Sequence, residues 1–140
     1  MLCLAFEDDF RVEISDYEAD HTRPHYSLYT MRHFRELFGE DTGFIIGADS
    51  LCSIHKWYEA DALLKENTFI VFARENDEAL KEAYLRYESS GVRLCMADML
   101  FYDASSTRVR QSLQKGIVPP ELTEGVARYI KEHKLYGGKI

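Results

Sequence analysis

With 140 residues, 46% of them hydrophobic and 13% aromatic, the chain has enough apolar matter for one ordinary core and the size of a single globular domain. A formal net charge of -7, carried by charges of mixed sign, argues against non-specific binding to nucleic acid or an anionic membrane surface, because the long-range field repels phosphate. Cys3, Cys52 and Cys95 are odd in number and lack CxxC spacing, so neither a disulfide framework nor a zinc site is supported. No signal-peptide pattern and no run of about 20 apolar residues is present, and the expectation is a cytoplasmic protein outside the membrane.

In chain order, residues 1 to 7, "MLCLAFE", look like the last two turns of a helix whose beginning is absent. "RVEIS" (11 to 15) alternates as a strand does, and residues 16 to 27 form a polar loop punctuated by Pro24. Leu28, Met31, Phe34 and Phe38 recur at helical spacing, behind a Ser27 cap and ahead of a Gly39 stop. "GFIIG" (43 to 47), "TFIVFA" (68 to 73) and "VRLCMA" (92 to 97) are short apolar runs of the kind found in parallel sheets covered on both faces. Between them, residues 48 to 67 read as a helix or two short ones around Trp57. Residues 76 to 91 read as an amphipathic helix with Leu80, Ala83, Tyr84 and Tyr87 inward. Two further helices follow, over 105 to 116 with a serine cap and over 119 to 137 opened by proline. This alternation predicts an α/β fold in one domain over 1 to 140, a mostly parallel sheet with helices on both faces.

Three clusters fall at the carboxyl ends of these strands, where open α/β sheets bind ligands. At Gly47 a ligand can approach the backbone, and Asp49 can accept hydrogen bonds from a ribose, although a strand-end aspartate also serves to cap the next helix. "ASSTRVR" (104 to 110) offers free N–H groups, hydroxyls and the positive end of a helix dipole, which suit phosphate, with Arg110 as a neutralising charge. The same run is also an ordinary capping sequence. In "KWYEA", Trp57 and Tyr58 offer rings that can stack on a flat heteroaromatic group, while a lone tryptophan in a domain of this size is more often a core anchor. Ribose, phosphate and aromatic ring together describe a nucleotide. His21 and His25 are four apart, but Pro24 between them argues against a shared helix face, and no GxGxxG, P-loop or GxSxG occurs.

These residues resemble the bacterial nicotinate-nucleotide adenylyltransferases, within the nucleotidyltransferases that carry an H-x-G-H motif. The family's "PSYTIDTL" is similar to "PHYSLYTM" (Pro24 to Met31), its "FIIGADSL" to Phe44 to Leu51, and its "KW" to Lys56 and Trp57. Its "ISSTxIR" is similar to "ASSTRVR", and its "VxxYIxxHxLY" to Val126 through Tyr136. The resemblance implies a Rossmann-like fold and adenylyl transfer from ATP to nicotinate mononucleotide, giving deamido-NAD and pyrophosphate with Mg²⁺ assisting. It places Gly47 and Asp49 at the adenosine ribose and Ser106, Thr107 and Arg110 at the ATP phosphates. Trp57 and Tyr58 fall on the nicotinate ring, and Ser27 and Thr30 near its carboxylate.

Two departures stand out. Tyr29 and His25 replace the family's aspartate and serine, and the G-G-x-F-D-P-x-H-x-G-H turn that contacts ATP phosphates is not in this sequence, leaving the catalytic residues unknown. The first two strands of the family fold are expected to be missing, so that the chain is an N-terminally truncated piece, inactive alone and with a homo-oligomer left open. Two alternatives remain: a phosphopantetheine adenylyltransferase-like enzyme, and a non-catalytic nucleotide-binding module that has lost its catalytic turn.

Overall fold

The computed structural model describes residues 1–20, 22, 24–72, 78–97 and 105–137. His21, Ala73, Ala104 and the first two residues of the expected helix at 76 to 91 lie outside the described residues. The chain folds as two compact units, one of Asp16–Phe101 and one of Met1–Ser15 with Tyr102–Ile140.

The larger unit is built on a parallel sheet of β1 (Gly43–Gly47), β2 (Thr68–Phe72) and β3 (Arg93–Met96), in the order β1-β2-β3. Registers Phe44↔Phe69↔Leu94 and Ile46↔Val71 align apolar side chains across one face. On that face Phe69 and Val71 are completely buried, whereas Ile45, pointing the other way on β1, is 61% exposed. Arg93 ties the start of β3 to its neighbour, donating from Nη2 to the Glu66 carbonyl at 2.8 Å and from Nε to Thr68 Oγ1 at 3.0 Å.

Parallel strands need crossovers, and helices supply them. α2 (Ser27–Phe38) precedes β1; α3 (Ala48–Ser53), a 3₁₀ turn at Ile54–Lys56 and α4 (Ala60–Glu66) cross from β1 to β2, and α5 (Glu78–Ser89) crosses from β2 to β3. α2 packs against α4, and α3 against α5 and the first two strands. Leu28, Leu51, Ile54, Leu63, Leu80 and Ala83 close the core over the sheet. Gly39 ends α2 with φ of 97° and Gly91 follows α5 with φ of 80°, a region that a side chain would strain. Asn67 is buried because it ends α4: its Nδ2 donates to the otherwise orphaned Leu63 carbonyl at 2.8 Å.

α2 begins at Ser27, with Tyr26 in the capping position and no side-chain cap, so serine is the first helical residue and not the expected cap. A bidentate pair, Arg32 Nε to Glu66 Oε2 at 2.8 Å and Nη2 to Oε1 at 2.5 Å, links α2 to α4. The Arg32 hydrogen bond is the main reason the Glu66 carboxyl titrates below its ordinary value of 4.5. A lowered value gives stability that is present above the unfolded-state pKa and is lost as pH falls through the folded one. Glu66→Gln is therefore expected to flatten the fall in urea midpoint between neutral and acid pH. An unchanged acid slope would mean that this pair carries none of the acid sensitivity.

The smaller unit contains α1 (Leu2–Ala5), α6 (Ser106–Gln114) and α7 (Glu124–Glu132), with a 3₁₀ turn at Leu135–Gly137. Leu113, Val126 and Ile130 form its core, with Leu4, Ala5, Val109, Leu122 and Leu135 packed around them. Two expectations are corrected. Residues 11–15 are exposed and form no strand, because the Asp9 carboxylate takes the Arg11 N–H at 3.1 Å and Val12 N closes a turn on the Asp9 carbonyl at 3.0 Å. The last helix does not open at Pro119, since Leu122 N closes a turn on the Pro119 carbonyl at 3.2 Å. It starts instead behind Thr123, whose hydroxyl accepts from Val126 N at 3.4 Å. No described helix is long and apolar enough to cross a membrane.

Candidate functional site

β1 runs out at Gly47 and passes directly into α3, which puts Asp49 in the first helical turn at the carboxyl end of the sheet. Asp49 is exposed and does not cap α3: the capping position is Gly47, and no side chain bonds the first turn. Its carbonyl accepts from Ser53 Oγ at 2.8 Å, while its carboxylate has no partner among the described residues. Ligand hydroxyls would therefore meet an uncommitted carboxylate there.

The aromatic residues follow the 3₁₀ turn. Trp57 is extended at φ -78° and ψ 160°, and Glu59 takes a left-handed conformation at φ 46° and ψ 48° before α4 begins. The indole packs on Phe44, with centroids 6.3 Å apart, and belongs to the rim of the core. Tyr58 turns the other way, stacking on Tyr26 with ring centroids 4.0 Å apart and planes at 22°. Its hydroxyl lies 3.3 Å from that of Tyr29. Hydrogen bonding to Tyr29, then to Glu59, pushes the Tyr58 phenol above its ordinary pKa, so it stays neutral across the physiological range.

A cavity of about 210 Å³ is lined by His25, Tyr26, Ser27, Trp57, Tyr58 and Leu63. Three of the four residues expected around a nicotinate ring, Ser27, Trp57 and Tyr58, thus share one wall system. Thr30 lines the neighbouring cavity of about 410 Å³ with Tyr17, Pro24, His25, Tyr26 and Tyr29. Its hydroxyl is engaged, donating to the Glu18 carboxylate. His25 and Tyr26 line both cavities, and neither is among the site residues expected from the sequence. The signal for Tyr26 is its place in the "PHYSLYTM" run, but its partner Tyr58 is 32 residues away and only folding brings them together.

In the smaller unit, Ser105 occupies the capping position of α6 without making a side-chain cap bond, and Ser106, Thr107 and Arg110 lie in the first turns. A cavity of about 360 Å³ takes its polar lining from Ser105, Ser106, Arg110, Glu121 and Tyr136. Thr107 is exposed and does not line it, whereas Ser105, which is not among the expected phosphate contacts, does. Arg110 forms no ion pair among the described residues, which leaves its guanidinium open to an anion. Glu121 brings the opposite sign to the same cavity, with a buried Oε2 that finds no hydrogen-bond partner among the described residues. A fourth cavity, about 750 Å³ beside α1 and the start of α7, is lined by the acids Glu7, Asp8, Asp9 and Glu124 and by Arg11 and Arg128, a mixed wall in which Arg11 is paired to Asp9.

No family model matches the chain. It is similar to the "Probable nicotinate-nucleotide adenylyltransferase" of Thermotoga petrophila, 32% identical over 126 residues that cover 86% of this chain and 64% of the relative. The protein of the same name from Clostridium tetani is 32% identical over 141 residues, covering 97% of this chain and 70% of the relative. The chain thus spans about 64% of the length of the Thermotoga relatives. A solved Plasmodium falciparum nicotinic acid mononucleotide adenylyltransferase complexed with APC superimposes with a TM-score of 0.61 at 20% identity, over 86% of this chain and 62% of that one. Its complex with NaAD gives a TM-score of 0.59 at 20% identity, over 86% of this chain and 61% of that one. At that identity the likeness establishes the fold, an α/β arrangement with a parallel sheet flanked by helices.

Proposed function

This chain belongs to the nicotinate-nucleotide adenylyltransferase family, and from that premise we propose that it carries nucleotide-holding parts of an enzyme that joins ATP and nicotinate mononucleotide into deamido-NAD. In that reaction a phosphate oxygen of the mononucleotide attacks the α-phosphorus of ATP, and the bond to the departing pyrophosphate breaks. Little covalent help is needed from the protein, because alignment and charge neutralisation supply most of the rate.

The observation that best supports the reading is the aromatic cavity. Tyr58 and Tyr26 offer a flat neutral wall, Trp57 closes another side, and the Ser27 hydroxyl can donate to a ring carboxylate. Thr30 contributes to the same region once its hydroxyl leaves Glu18. On this reading Gly47 and Asp49 hold the adenosine ribose, and Ser106, Thr107 and Arg110 take the ATP phosphates, with Ser105 added to them. Mg²⁺ enters as the ATP complex: among the described residues no group of three His, Cys, Asp or Glu side chains converges to hold a metal. No step is assigned to the ion within this chain.

None of the five histidines stands in an H-x-G-H arrangement. The chain alone is therefore expected to bind product without making it, in the cytoplasmic setting that the family's chemistry implies. Calorimetric titration with deamido-NAD is expected to show binding, and incubation with ATP, Mg²⁺ and nicotinate mononucleotide is expected to yield no dinucleotide by mass spectrometry. Absence of binding would reject the nucleotide reading. Formation of dinucleotide would keep it and reject the inactivity.

A further inference from the structure

Tyr29 has no part in the roles above, yet its hydroxyl links Tyr58 of the ring cavity to α2. It projects from α2, a helix anchored by Leu28 and Met31, which are 0% and 5% exposed. Tyr58, by contrast, sits in the irregular stretch between the 3₁₀ turn and α4. The two hydroxyls are 3.3 Å apart, and the rings lie 5.8 Å apart at 47°. Tyr29 is itself held, because the Arg32 guanidinium lies 6.0 Å from its ring centroid and is clamped to Glu66.

Burial alone does not orient this grouping. Tyr26, Tyr29 and Tyr58 are 38%, 43% and 41% exposed, so more than half of each is covered, but apolar burial has no direction, and holding three rings in one geometry loses rotamer freedom. The hydrogen bond between the hydroxyls is the directional element that can offset that loss. It also orients Tyr58 where it stacks on Tyr26, and those two rings form the flat wall of the cavity.

We propose that Tyr29 is a positioning residue for this cavity: through its hydroxyl it fixes Tyr58 against Tyr26 and so preforms the wall on which a pyridine-carboxylate mononucleotide lays its ring. The inference rests on the nucleotide reading of the preceding section. Preorganisation of this kind raises affinity by removing an ordering cost that the ligand would otherwise meet.

The test uses the intact chain and nicotinate mononucleotide as the probe, with quenching of Trp57, the single tryptophan, as the signal. Tyr29→Phe is expected to weaken binding about 3- to 10-fold, the range of one ordinary hydrogen bond. Tyr58→Phe, which also gives up the hydrogen bond to Glu59, should weaken it at least as much, and the double substitution should be no worse than Tyr58→Phe alone, because the Tyr29–Tyr58 interaction is already lost there. ATP affinity should be unchanged in all three, and Tm should fall by no more than the few degrees that one exposed hydrogen bond supports. Tyr29→Phe binding like the parent, or two single effects that multiply, would overturn the positioning role while leaving the cavity's assignment intact. If the parent chain itself does not bind the mononucleotide, that assignment fails and the proposal falls with it.

Discussion

Phe69→Ala is expected to destabilise the larger unit by about 3–5 kcal/mol, the usual range for emptying a fully buried phenylalanine site. Phe69 is the centre of the covered sheet face: it is 0% exposed, pairs with Phe44 on β1 and Leu94 on β3, and its ring lies 5.8 Å from that of Phe44. Phe44 in turn supports Trp57, so the loss would be felt at the ring cavity as well as in the core. Urea unfolding followed by tryptophan fluorescence reads the effect, with a fall in midpoint on the order of 2 M if the slope is about 2 kcal/mol per M. Ile45→Ala is the matched control on the opposite face, 61% exposed, where about 0.5 kcal/mol or less is expected. Equal effects at the two positions would mean that the sheet's buried face has been assigned wrongly.

Asp49→Ala should weaken ATP binding about 10- to 100-fold, equivalent to losing hydrogen bonds to one charged group at about 1.5–3 kcal/mol. The same substitution should leave Tm within error, because the carboxylate neither caps α3 nor bonds any described residue. That separation makes the experiment decisive. A helix-capping role predicts lower stability and unchanged affinity, whereas a ribose-binding role predicts the reverse. Calorimetry with ATP alongside thermal unfolding distinguishes them, and a variant that loses stability but keeps its affinity would transfer Asp49 from the site to the scaffold.

The parts of this molecule that local chemistry controls were legible before folding. Glycines bracket "FII" in β1, and the observed strand has those same limits, Gly43–Gly47. The inward residues of α5 follow helical periodicity, and Leu80, Ala83 and Tyr87 are buried. What escaped was set by partners distant in sequence or by competing local hydrogen bonds. Val12 and Ile14 alternate like a strand, but alternation cannot supply a neighbouring strand, and the Asp9 side chain captures the first N–H. Pro119 is a fitting first residue for a helix, yet a turn on its carbonyl delays the helix to Thr123. At the site, Trp57 and Tyr58 were readable as rings able to stack. The choice of Tyr26 as the stacking partner, and of Tyr29 as the hydroxyl that meets Tyr58, depends on α2 lying alongside the start of α4.

Glu59 is a non-glycine residue at φ 46°, immediately after Tyr58. Left-handed backbone costs such a residue roughly 1 kcal/mol, a cost that glycine would avoid. Glycine, however, would give this corner several nearly equal conformations, each aiming the preceding phenol differently. Glutamate gives up a little stability and gains stiffness in return, so the corner acts as a sprung mount for Tyr58. Loop shortening or insertion at this point would slacken the mount before it disturbed the core, and position 59 is accordingly a poor place to splice in a tag or a reporter despite its exposure.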